Sequence, residues 1–80
     1  MERPAVFDIV RATAVDLLDL QTGQLVEEAT FRDLSVDSLA LVEYCMALED
    51  ALGVALPEDE VAATATVGEF VNLVTAKTAA

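Results

Sequence analysis

The chain has no His, no Trp and a single Cys, Cys45, among its 80 residues. Each absence excludes something. Without His there is no imidazole general base, and no Ser-His-Asp or Cys-His pair. One Cys and no His fall short of the N and S ligands a structural zinc site needs. A lone Cys cannot close an intramolecular disulfide, so the sequence reads as a reduced, cytoplasmic protein. Positive charge is scarce as well. Arg3, Arg11, Arg32 and Lys77 stand against 15 Asp plus Glu, for a net charge of −11. Nucleic acid is therefore not an expected partner, because phosphate binding needs clustered Lys and Arg. No apolar run approaches the roughly 18 residues of a membrane span, so no membrane partner is expected. Met1-Glu2-Arg3-Pro4 also lacks the basic-then-apolar order of a secretion signal.

What is present is acid and hydrocarbon. From Asp33 through Ala76 there are nine carboxylates and no cation. A field of one sign keeps a protein soluble and steers it toward basic surfaces, though a solvated acidic face with no further role gives the same pattern. Apolar residues make up 55% of the chain, too many for a disordered acidic tail. One domain over residues 1–80 is expected, with a core from about residue 4 to 76 and, at this size, modest stability.

Periodicity predicts helices only. Pro4 suits a first helical turn, and Pro4 to Leu20 wound at about 100° per residue gathers Val6, Phe7, Ile9, Val10, Ala14, Leu17, Leu18 and Leu20 on one side. Gln21 to Ala29 contains Gly23 and reads as a loop anchored by Leu25 and Val26. Thr30 to Leu34 makes a short turn that buries Phe31 and Leu34. A second helix starts at Asp37 or Ser38, with Asp37 as a good N-cap, and ends near Leu52 before Gly53. Its wheel puts Leu41, Val42, Cys45, Leu48 and Leu52 on a buried arc with Tyr44 at one border. Leu39 and Met46 lie at another border, beside Glu43 and Asp50. Glu58-Asp59-Glu60 opens a short third helix with an acidic first turn. Thr66-Val67-Gly68-Glu69 is a capping box, and Val67, Phe70, Val71 and Val74 follow it as a fourth helical stripe. The fold expected is all-α: a four-helix bundle with three longer helices, a short third one, and a long loop between the first and second.

No P-loop, GxGxxG, HExxH or EF-hand loop is present, and the carboxylates are not spaced as a cation cage, so neither a catalytic nor a metal site is expected. The informative stretch is Asp33-Leu34-Ser35-Val36-Asp37-Ser38-Leu39, which holds both serines of the chain. Read locally, Ser38 is first of all a helix-start residue. The same place suits a Ser that receives a phosphorylated group. Free backbone N–H groups and the positive end of the helix dipole would face the phosphate.

Here the sequence resembles the acyl carrier proteins. Asp37-Ser38-Leu39 matches that family's Asp-Ser-Leu signature, at the start of the second helix of a small acidic bundle. Phe31-Arg32-Asp33-Leu34, Glu43, Met46-Ala47-Leu48-Glu49-Asp50, Leu56-Pro57-Glu58-Asp59-Glu60 and Thr66-Val67 match in order and spacing. The resemblance implies that Ser38 is esterified by 4′-phosphopantetheine, taken from coenzyme A by a separate phosphopantetheinyl transferase. The arm's thiol would then hold acyl groups as thioesters, and the chain itself would be no enzyme. Partners would be ketosynthases, acyltransferases and other synthase enzymes with basic docking surfaces, met by a monomer. Docking would use Asp37, Leu39, Val42, Glu43, Met46 and Asp50, although core packing accounts for Val42 as well, and Glu49 is either another docking charge or a solvated flank. Phe31, Leu48, Leu56 and Val61 are candidates to line an acyl pocket between the second and third helices, and core packing explains each equally. Ser38-Leu39-Ala40-Leu41-Val42-Glu43 looks especially like the aromatic polyketide carriers. An aminoacyl or peptidyl carrier would share the arm, but those usually lack an acidic residue before the Ser. An unmodified helical adaptor is the alternative of another class.

Two positions depart from the family's pattern. Ser35 stands where Gly is usual, which implies strain if the backbone there needs positive φ. Thr64 replaces a larger apolar residue, which would loosen or enlarge a pocket. Cys45, in mid-arc, is expected to be an inert core thiol.

Overall fold

A computed structural model describes residues 1–79. Within them the chain forms α1 (Arg3–Leu18), a 3-10 turn (Thr22–Gln24), α2 (Ser38–Leu52), α3 (Glu58–Ala62) and α4 (Val67–Thr78). The all-helical expectation holds, with the long loop between α1 and α2. Helix α1 packs against both α2 and α4, and α3 sits on α4. No helix among the described residues is long and apolar enough to cross a membrane.

Helix α1 buries Val6, Val10 and Ala14, a stripe one residue wide at i, i+4 and i+8. It stops two residues before the expected end. Asp19 takes a left-handed conformation (φ 55), which turns Leu20 out of the helix and into the core. Asp tolerates that conformation better than most side chains. The narrow stripe also leaves Leu17 exposed, against the broad apolar side expected from the wheel.

In the loop Leu25 is the anchor and is almost fully buried, whereas Val26 faces solvent. The loop does not hang free. Val67 donates to the Ala29 carbonyl at 2.8 Å and Gly68 to the Glu27 carbonyl at 3.0 Å. Arg3 reaches over from α1 to pair with Glu27, donate to Asn72 Oδ1 at 2.6 Å and touch the Gly68 carbonyl at 3.2 Å. A Cβ on Gly68 would sit 3.2 Å from the Glu27 carbonyl oxygen, so any larger residue there would push loop and α4 apart by a few tenths of an ångström.

Helix α2 is rotated relative to its predicted wheel. Tyr44, expected at the border, is wholly buried; Val42, expected in the arc, is 44% exposed. Leu41 and Leu52 are only partly buried. The cause is the tyrosine. Its hydroxyl donates to the Val10 carbonyl at 2.6 Å, so the one polar atom that made it a border residue is satisfied inside. Its ring lies 6.0 Å from Phe70 and 6.3 Å from Phe31, and Phe31 and Phe70 meet edge to face at 5.3 Å.

The ends of the other helices follow the sequence. Gly53 closes α2 in a left-handed conformation (φ 66) and donates to the Glu49 carbonyl. Thr66 and Glu69 form the capping box of α4. Its stripe Val67, Phe70, Val71 and Val74 is entirely buried. Lys77 pairs with Glu60 at 2.9 Å and ties the end of α4 to α3.

Candidate functional site

Ser38 is the first residue of α2, and it is exposed. Asp37 precedes it as N-cap: its carboxylate accepts from the Ala40 N–H at 2.8 Å and its carbonyl from Leu41 at 2.9 Å. This leaves the N–H groups of Ser38 and Leu39 without a partner among the described residues, as the first turn of a helix does. The Ser38 hydroxyl also makes no hydrogen bond within them. A turn over residues 31–35 delivers the chain to this point. Thr30 and Asp33 cap one another, and Val36 donates to the Phe31 carbonyl at 3.0 Å. Phe31 and Leu34 are only partly buried.

The turn closes on Ser35, whose φ of 60 lies in the left-handed region. A side chain there costs about 1–2 kcal/mol, while glycine adopts the conformation freely. Ser35→Gly is therefore expected to raise stability by about 0.5–1 kcal/mol once the extra freedom of the unfolded glycine is subtracted. Urea unfolding at a fixed m-value measures it, and an unchanged or lower midpoint contradicts it.

From Ser38 onward one side of α2 faces solvent. Leu39 is 70% exposed and Met46 60%, and with Val42 they make an apolar edge. Glu43 and Asp50 flank it, both exposed. The ion pairs lie elsewhere: Arg3 with Glu27, Arg11 with Asp8, Lys77 with Glu60. So no ion pair among the described residues involves the carboxylates of this face. Glu49 is different. Its Oε2 accepts from the Leu56 N–H at 2.7 Å, pinning the α2–α3 link, and the side chain is half-buried.

A cavity of about 290 Å³ lies beside Ser38, between α2 and α3. Ser38, Cys45 and Glu49 contribute from α2, with Leu56, Val61 and Ala62 opposite. Val42 and Met46 share its wall, so the cavity runs into the exposed edge. Of the residues expected to line a pocket here, Leu56 and Val61 do so. Phe31 and Leu48 are not on this wall. Phe31 stacks edge-on to Phe70, and Leu48 is wholly buried in the core. Thr64 folds its hydroxyl back onto the Val61 carbonyl at 2.7 Å. The Cys45 thiol is pushed up to about 11 by burial and by the Glu49 carboxylate, so it stays protonated and unreactive near neutral pH. The Tyr44 hydroxyl is raised too, by burial first and by Cys45 second, and remains a donor. Sequence reasoning missed the Glu49–Leu56 contact, which spans the Gly53 turn and carries no local signal.

Residues 8–74 match the family described as "Phosphopantetheine attachment site". An acyl carrier protein of Sulfurovum sp. is 37% identical over 71 residues, covering 88% of this chain and 95% of its own. That of Picosynechococcus sp. is 38% identical over 76 residues, 94% of each chain. That of Rubrobacter xylanophilus is 37% identical over 75 residues, 92% of this chain and 93% of its own. The start of α2 fits a covalent phosphopantetheine. It presents an exposed, unengaged hydroxyl, unpartnered N–H groups for a phosphate, and a neighbouring cavity. The chain belongs to the acyl carrier protein family and is a phosphopantetheine-bearing carrier rather than a catalyst.

Proposed function

We propose that Ser38 is the residue esterified by 4′-phosphopantetheine, and that the α2 face around it docks the enzymes that load and unload the arm. The single observation that carries this is the free Ser38 hydroxyl at the loop–helix junction, inside Asp37-Ser38-Leu39. The arm supplies a thiol that holds acyl groups as thioesters. What the chain's own residues contribute is presentation. Asp37 fixes the helix start so that Ser38 projects from an ordered first turn, and the unpartnered N–H groups of Ser38 and Leu39 favour a phosphate there. Incubation with coenzyme A and a broad phosphopantetheinyl transferase is expected to add one phosphopantetheine by intact mass. A chain that stays unmodified across several transferases rejects the proposal.

Docking follows from charge and a small apolar edge. Asp37, Glu43 and Asp50 attract a basic surface at long range, while Leu39, Val42 and Met46 set the register on contact. The partners that fit are the transferase, ketosynthases, acyltransferases and other synthase enzymes with basic surfaces. Glu43→Lys or Asp50→Lys is expected to slow acyl transfer at low salt by about threefold or more, and added salt should slow the wild type in the same way. Stopped-flow or initial-rate assays against salt measure it. Rates that ignore both changes mean that this face is ordinary solvated surface.

The stretch Ser38-Leu39-Ala40-Leu41-Val42-Glu43 supports service in polyketide assembly over housekeeping fatty acid synthesis. Asp37 speaks against an aminoacyl or peptidyl cargo. The proposed state is a cytoplasmic monomer. Copies of this charge repel one another, which favours that state.

A further inference from the structure

The cavity between α2 and α3 is not uniformly oily. Glu49 stands on its wall one turn beyond Cys45. Its carboxylate receives one donor, the Leu56 N–H, and no other among the described residues. A carboxylate accepts at about four lone-pair positions, so most of its capacity is open. Cys45 beside it offers only a weak S–H donor. An alkyl chain laid in this cavity would strip water from the carboxylate and return no hydrogen bond, which is unfavourable. A chain bearing hydroxyl groups returns the donors that water had supplied. The volume of about 290 Å³ is near the lower end of small-molecule pockets, which points to a short chain.

We propose that Glu49 sets the cargo preference of this cavity, favouring a short acyl chain with hydroxyl groups over an alkyl chain of equal length. The inference rests on Ser38 as the attachment point, since Ser38 shares the cavity wall. Glu49 acts as a specificity residue, and it keeps its contact with Leu56 while doing so.

The test compares two cargoes on the intact chain, octanoyl and dihydroxyoctanoyl, each joined to the arm by a non-hydrolysable amide. Intact mass confirms loading. Amide hydrogen exchange is read at Cys45, Leu56 and Val61 against the protein carrying the bare arm. The dihydroxy chain is expected to slow exchange about three- to tenfold more than octanoyl, the net range of one ordinary hydrogen bond. Glu49→Gln keeps an oxygen for the Leu56 N–H but loses the charge and gains a donor, and it should erase or reverse the difference. Equal or greater protection by octanoyl in the wild type overturns the inference, and this comparison needs no variant. An unchanged difference in Glu49→Gln overturns it too. Absence of loading by mass rejects Ser38 as the attachment point instead, so the two failures are told apart.

Discussion

Ser38→Ala is expected to abolish phosphopantetheine attachment while leaving the fold intact. The chemical loss is complete because no other hydroxyl stands free at the start of α2. The structural loss is small for a separate reason. Ser38 is an exposed first helical residue whose hydroxyl bonds to nothing in the described fold, and Ala is a better helix former by a few tenths of a kcal/mol. The cap belongs to Asp37 and survives. Circular dichroism should therefore match the wild type while the mass stays that of the bare chain. Ser35→Gly provides the control, since it removes the other serine and should still accept the arm. An arm found on Ser38→Ala would move the attachment site to another residue.

Phe70→Ala is expected to have the largest effect on stability, a loss of about 3–5 kcal/mol. The ring is fully buried and meets Phe31 edge to face at 5.3 Å, with Tyr44 at 6.0 Å. Its removal would empty the centre where α1, α2 and α4 converge and would also loosen Tyr44, whose hydroxyl is held by α1. A domain of this length has about 4–12 kcal/mol of stability in total, so the substitution removes about a quarter of it or more. Urea titration with circular dichroism measures it. A loss below about 1 kcal/mol would mean that the three rings do not form the packing centre.

These two residues also show what the sequence discloses and what it hides. Helix α4 was legible in full, because its signals are local: a Thr–Glu capping box and an i, i+3, i+4, i+7 stripe containing Phe70. The start and stop of α2 were equally local, in Asp37 and Gly53. The rotation of α2 was not. A wheel treats Tyr44 as half polar, and only the Val10 carbonyl, 34 residues away in sequence, makes it a core residue. That same rotation turns Val42 outward, which the alternation of core and contact readings at this position could not resolve. Leu25 and Val26 are adjacent apolar residues in a loop without periodicity, so nothing in their order said which one goes in. The cavity depends on where a five-residue helix settles, which explains why Leu56 and Val61 reach its wall while Phe31 and Leu48 do not.

The seam between the long loop and α4 has a consequence for motion. A helix start ordinarily leaves its first N–H groups to water, so it can fray alone. In α4 two of them, those of Val67 and Gly68, are held by carbonyls of the loop, and Arg3 bolts the same spot to α1. Swinging the loop aside therefore breaks these two hydrogen bonds and the Arg3–Glu27 pair at once. Movement at this end of the loop is thus linked to the helix start and the beginning of α1, whereas the stretch nearer Ser38 makes none of these contacts.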